Sequence, residues 1–108
     1  MVKSVKQYLV GGRKRIEKPE NWVKCINRHD RNVNGRIEPA WCAAAAVEAE
    51  IPDGEYWDNW HIFIRAMMRL DMSCSACSIR VFNDKHSTTH KDILDVFDRD
   101  NKEDGLLF

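Results

Sequence analysis

The chain has 108 residues, 44% hydrophobic and 31% charged, enough for one packed core and too few for two, so a single globular domain spanning 1–108 is expected. No run of some 18 apolar residues occurs, and Met1-Val2-Lys3-Ser4 lacks the apolar stretch of a signal peptide, which argues against a membrane partner and makes the cytoplasm the expected location. The formal net charge is zero, and four cysteines in a cytoplasmic chain read as reduced thiols or metal ligands rather than disulfides.

In chain order, Ser4 is placed to cap a helix over residues 4–18 with Val5, Leu9, Gly12 and Ile16 on one side. Pro19 ends it. The pair Gly11-Gly12 weakens this helix by about 1 kcal/mol per glycine relative to alanine unless a neighbour packs closely there, and the small residues Ala43 to Ala46 are the expected neighbour. After Pro19, Asn21 to Arg28 alternates weakly as a strand does, and Asn34-Gly35 readily supplies two positive φ angles, so a hairpin from about Val23 to Ile37 is expected.

Trp41-Cys42-Ala43-Ala44-Ala45-Ala46 is the stretch around which the rest is organised. It predicts a central Ala-rich helix over Glu38 to Glu50, with Pro39 in the first turn, approachable on several sides because alanine combines high helix propensity with little bulk. Ile51-Pro52-Asp53-Gly54 breaks it, and Tyr56 to Asp71 forms a longer helix that is apolar almost all round. Such a helix is buried on most sides or lends one side to a partner. With Trp22 and Trp41 it is expected to supply most of the core.

Ser78 to Phe82 reads as a short strand and Asn83 to Thr88 as a loop, before a capping box of Thr89 and Asp92 opens a last helix with Ile93, Leu94, Val96 and Phe97 inward. Beyond Arg99 the acidic tail is expected to fray, with Leu106-Leu107-Phe108 able to dock on the surface. The fold class is therefore α-dominated α+β: about four helices around the central Ala-rich helix, a small β-hairpin and one short strand.

The zero charge conceals a gradient. Met1 to Arg36 carries ten Lys/Arg against three acids, a net +7, whereas Ile37 to Ile64 has six acids and no base. This polarity either steers a partner or reflects faces that pair with each other, and nucleic acid has access only through the first third. Arg13, Lys14, Arg15 and Lys18 beside Trp22 are the candidate binding set, suited to an acidic protein or to phosphates.

Two other groups carry chemistry-bearing residue types. Cys74-x2-Cys77-x8-His86-x3-His90 has zinc donors at the right terminal spacings, but its middle interval is shorter than the roughly twelve residues of an ordinary zinc finger. The alternative is that both cysteines are partly buried thiols and both histidines lie at the surface. Cys42, near a helix start, could be activated with His61 and Asn83 or Asp84 as a Cys-His-Asn/Asp set. Against this, Cys42 sits among Trp41 and alanines, which raise a thiol pKa, and His61 at helical spacing from Trp57, Ile64 and Met68 reads as a core histidine. Asn83-Asp84 also fits a turn in which Asx side chains bond nearby backbone.

The order of Arg13-x-x-Ile16, Pro19, Trp22, the Asp30-x4-Gly35 turn, Trp41-Cys42-Ala43, Asn83-Asp84 and Thr89-x-x-Asp92-Ile93-Leu94 resembles an uncharacterised family of small bacterial and phage proteins. The chain differs from that pattern in carrying Ala45 where glycine is usual and Asp92 for the cap glutamate. The resemblance implies a shared fold and a phage or mobile-element origin, and it implies no chemistry. The resulting expectation is a small non-enzymatic protein, without cofactor, that binds a protein partner and inhibits a host or defence component. The alternatives are a cysteine-dependent enzyme using Cys42 and His61, with Asp84, and a zinc-stabilised nucleic-acid module.

Overall fold

The structure is a computed structural model that describes residues 3–74, 76 and 78–107, with side chains as far as Arg99. It is α-dominated, with α1 (Val5–Arg15), α2 (Ala43–Glu48), α3 (Tyr56–Ser73), α4 (Ile79–Asp84) and α5 (His90–Leu107) and one largely exposed antiparallel hairpin, β1 (Arg28–Val33) and β2 (Arg36–Trp41). A single 3-10 turn, Pro19–Asn21, follows α1. Among the described residues there are thus four α-helices besides the Ala-rich α2, and no helix is long and apolar enough to cross a membrane.

Ser4 caps α1 as its sequence indicates, its Oγ accepting from the Gln7 N–H at 3.1 Å while the Gln7 Oε1 accepts from the Ser4 N–H at 2.7 Å. Gly12 then lets α1 close on α2. A Cβ at this position would lie 2.7 Å from Val47 Cγ2 and 3.1 Å from the Val47 Cα, so the nearest neighbour of Gly12 on α2 is Val47, directly after the alanines.

The Asn34-Gly35 turn forms with φ of 53° and 82°, and it fixes the register Val33↔Arg36 through Arg28↔Trp41. This register corrects two sequence expectations. The hairpin spans Arg28 to Trp41 instead of Val23 to Ile37, and Glu38 to Trp41 belongs to β2 instead of to the central helix. Pro39 is tolerated in β2 because a two-stranded sheet has only edge strands. The central helix begins at Ala43, where Cys42 caps it by accepting the Ala45 N–H on Sγ at 3.4 Å.

Ser78 to Phe82 is helical, not a strand. Ile79 and Val81 alternate as in a strand, but Ser78 Oγ takes the Val81 N–H at 3.2 Å and Asp71 Oδ1 takes the Ile79 N–H at 2.7 Å, so two orphan donors of a short helix are satisfied by side chains. Thr89 and Asp92 cap α5 reciprocally, at 2.9 and 3.2 Å. Hydrogen bonding of the carboxylate by the Thr89 N–H, and then by its hydroxyl, holds the Asp92 carboxyl below its ordinary pKa. The helix continues to Leu107, past the point where fraying is expected, and docking of Leu106-Leu107-Phe108 concerns side chains outside the described residues.

The core is built from Tyr8, Leu9 and Ile16 of the α1 segment, the alanines and Val47 of α2, Phe63, Ala66 and Leu70 of α3, Ile79, and Ile93, Val96 and Phe97 of α5. Contrary to expectation, the tryptophans do not dominate it. Trp22, Trp41 and Trp60 are half-buried against its rim, and Trp57 is 80% exposed.

Candidate functional site

Helix α3 has two apolar sides. At 3.6 residues per turn, Asn59, Phe63, Ala66, Leu70 and Ser73 share one side and are buried, while Trp57, His61, Ile64, Met68 and Met72 share the opposite side. On that outer side Trp57, Met68 and Met72 are 80%, 56% and 84% exposed, His61 is exposed and Ile64 half-buried. Isolated exposed apolar residues are ordinary. A row of them running about 22 Å along a helix is not, because each stays in water at a cost of roughly 25 cal/mol per Å² of apolar surface.

Ring contacts support the row at its Trp57 end. Phe63 fixes Trp60 with ring centroids 5.3 Å apart, Tyr56 lies 5.2 Å from Trp60, and Trp57 packs edge-on to Tyr56 at 5.1 Å. Trp57 therefore projects from an aromatic base anchored in the core. On the inner side, Asn59 Oδ1 accepts from the Tyr8 hydroxyl at 2.9 Å and its Nδ2 donates to the Glu55 carbonyl at 3.0 Å, which ties the first turn of α3 to α1. Sequence periodicity alone missed the outer row, since an all-round apolar helix gives no indication of which side the rest of the chain covers. The spacing of Trp57, His61, Ile64 and Met68 was nevertheless visible, and His61 is on the solvent side instead of in the core.

Three of the four cations of the basic candidate set, Lys14, Arg15 and Lys18, line one cleft, and two of the four have acidic partners. Arg13 donates from Nε and Nη2 to Asp98 at 2.8 and 3.3 Å, and Arg15 donates to Glu50 at 2.6 Å and to the Ala49 carbonyl at 3.2 Å. Lys3 reaches the same Glu50, at 3.3 Å. Much of the positive first third is thus neutralised by acids of the middle and end of the chain. Trp22 points inward. Lys14, Arg15 and Lys18 instead neighbour Trp41 around a cleft of about 350 Å³ that also contains Glu20 and Glu38. Trp41 carries the Arg28 guanidinium 4.6 Å and the Arg15 guanidinium 5.5 Å from its ring. Mixed charge of this kind is a poor cradle for phosphates.

Asn83 is a hub rather than a turn residue. Fully buried, its Oδ1 accepts from Trp22 Nε1 at 2.6 Å and from the Ala43 N–H at 3.0 Å, and its Nδ2 donates to the Val23 carbonyl and to Asp84 Oδ1, both at 3.0 Å. Every hydrogen-bonding position of the amide is used. Asp84 Oδ1 also takes the Cys25 N–H at 2.7 Å, which helps hold Cys25 at φ 66°. No short sequence motif signals this arrangement, because Trp22, Val23 and Ala43 lie 61, 60 and 40 residues from Asn83 along the chain.

Cys42 lies beside a small cavity of about 90 Å³ with Cys25, Asn27, Arg80 and Asp84. His61 is not among them. Burial pushes the Cys42 thiol above its usual pKa, and bonding from the Ala45 and Ala44 N–H groups and the charge of Arg80 offset this only in part, so the nucleophilic thiolate is disfavoured. Three of the four zinc donors, Cys74, His86 and His90, fall among the described residues. His90 Nε2 donates to the Ile16 carbonyl at 2.6 Å, and its ring lies 5.9 Å from that of Trp22. His86 is exposed in a loop whose carbonyls bind Lys24, Cys74 bonds the Asp71 and Ala76 carbonyls, and Cys77 lies outside the described residues. Among the described residues no three His, Cys, Asp or Glu side chains are grouped as metal ligands.

No family model, curated protein or solved structure matches the chain.

Proposed function

We propose that this is a non-enzymatic protein-binding domain whose docking face is the outer side of α3. The observation that carries the reading is the row of Trp57, Met68 and Met72, 80%, 56% and 84% exposed on one side of a helix whose other side is locked into the core. Tryptophan and methionine are the residue types that dominate binding hot spots and adaptable interfaces, and a helix anchored on one side presents them at little entropic cost. A protein that blocks a host or defence component, the role expected of a small chain of phage or mobile-element origin, needs only a face of this kind.

Site-specific photo-crosslinking in cells tests the reading. A benzophenone side chain at position 61 should yield a protein adduct, and one at position 14 should not. An adduct from position 14 alone would move the docking face to the Trp41 cleft and its basic rim.

A further inference from the structure

We infer that the occupant of the α3 face is a second copy of this chain, its α3 laid antiparallel across the first. The inference rests on the docking reading above and adds the identity of the partner. Trp57, His61, Ile64 and Met68 follow one another at intervals of four, three and four residues, the alternation that keeps a seam in register between two helices in a coiled coil. In heptad terms Trp57 and Ile64 occupy d positions and His61 and Met68 a positions. Asp58 and Arg65 then fall at successive e positions, directly flanking the seam.

Antiparallel pairing sets each a position against a d position of the mate. The register that joins Trp57 to Met68 of the second copy also joins His61 to its Ile64, and a twofold axis repeats both layers. A methionine thioether against an indole is a favourable contact. Antiparallel geometry also brings e positions together, so Asp58 of each copy lies beside Arg65 of the other, giving two symmetric ion pairs. Parallel pairing would set e against g positions, placing Arg65 beside Trp60 and Met72 beside Met67, with no ion pair at all. Charge therefore selects both the second copy and its direction. Both side chains are exposed, and neither engages another described residue, so they are free for this role.

The test is sedimentation of the full chain together with two charge reversals. The wild type is expected at twice its 12.6 kDa mass. Asp58→Arg opposes Arg65 of the mate, and Arg65→Asp opposes its Asp58, so either variant alone should self-associate about tenfold more weakly or worse. An equimolar mixture of the two variants restores both ion pairs and should associate to within about threefold of wild type, as should the single chain carrying both reversals. Trp57→Ala should weaken the dimer roughly 30-fold, and circular dichroism should show every variant folded. A wild type that stays monomeric up to about 100 μM overturns the inference, as does a dimer indifferent to both reversals or a mixture that fails to recover. If position 61 crosslinks to a protein of another mass while the chain sediments as a monomer, the docking reading stands and the second copy is wrong. If position 61 gives no adduct and the chain is monomeric, both fall.

Discussion

The two sides of α3 are close to equal in apolar character and opposite in what they meet. Phe63, Ala66 and Leu70 are buried against the chain's own helices, whereas Trp57, Met68 and Met72 meet solvent. The difference lies in the surroundings and not in the residues. On the inner side the hydrophobic effect acts within the molecule and stabilises the fold, and on the outer side the same chemistry contributes nothing until a partner arrives. Stability and association should therefore separate cleanly between substitutions only a turn or two apart.

The widest separation is expected between Phe63→Ala and Trp57→Ala. Phe63 is 2% exposed and touches Trp60, so its truncation should cost about 3–5 kcal/mol in urea unfolding. Trp57→Ala removes a larger side chain, yet at 80% exposure it should stay within roughly 0.5 kcal/mol of wild type when both are unfolded under dilute, monomeric conditions. Comparable losses at the two positions would mean that the outer row is covered by the chain itself.

A smaller loss is expected away from α3, at the polar hub. Asn83→Leu keeps the volume but leaves the Trp22 indole N–H, the Ala43 N–H and the Val23 carbonyl without their partner, and each buried orphan costs about 1–3 kcal/mol. Partial relaxation toward water should hold the total near 2–4 kcal/mol. Indole fluorescence should shift as Trp22 loses its acceptor. An unchanged melt would show that Trp22 and Val23 are held mainly by the backbone bridge of Trp22 to Trp41, where the Val23 N–H donates to the Trp41 carbonyl at 3.0 Å.

How much of this was legible depends on how local the cause is. The Ser4 and Thr89 caps and the Asn34-Gly35 turn are set by residues a few positions apart, and the sequence indicated all three where they occur. Glu38 to Trp41 was misassigned because Pro39 serves equally in a first helical turn and on an edge strand, and only the hairpin register decides between them. Ile79 to Phe82 was misassigned because its helix depends on Asp71 capping from the end of α3, a contact made by folding. The candidate site was half visible. Spacing grouped Trp57, His61, Ile64 and Met68, but which of two apolar sides faces outward is decided by packing against α1 and α5. The surroundings of the basic set were hidden for the complementary reason, since Arg13 and Arg15 meet Asp98 and Glu50, acids far along the chain.

The smallest predicted effect gives the comparison its sign. Gly12→Ala and His61→Ala are both substitutions by the best helix former in a helix interior, so local propensity favours both, by about 1 kcal/mol for the glycine and a few tenths for the histidine. At Gly12 the new Cβ would lie 3.1 Å from the Val47 Cα and 3.2 Å from its backbone nitrogen, atoms that cannot rotate away, so α1 and α2 must separate. Overpacking of that kind costs about 1–3 kcal/mol, which outweighs the propensity gain and leaves a net destabilisation near 1 kcal/mol. At His61 the Cβ already exists and no packing is lost to the chain's own core, so the propensity gain should survive as a slightly raised unfolding midpoint. The same final residue would then destabilise one helix and stabilise another, with thermal melts under dilute, monomeric conditions as the measurement. A stabilised Gly12→Ala would mean that α1 and α2 do not approach closely, and a destabilised His61→Ala would mean that the outer side of α3 already has a partner within the chain.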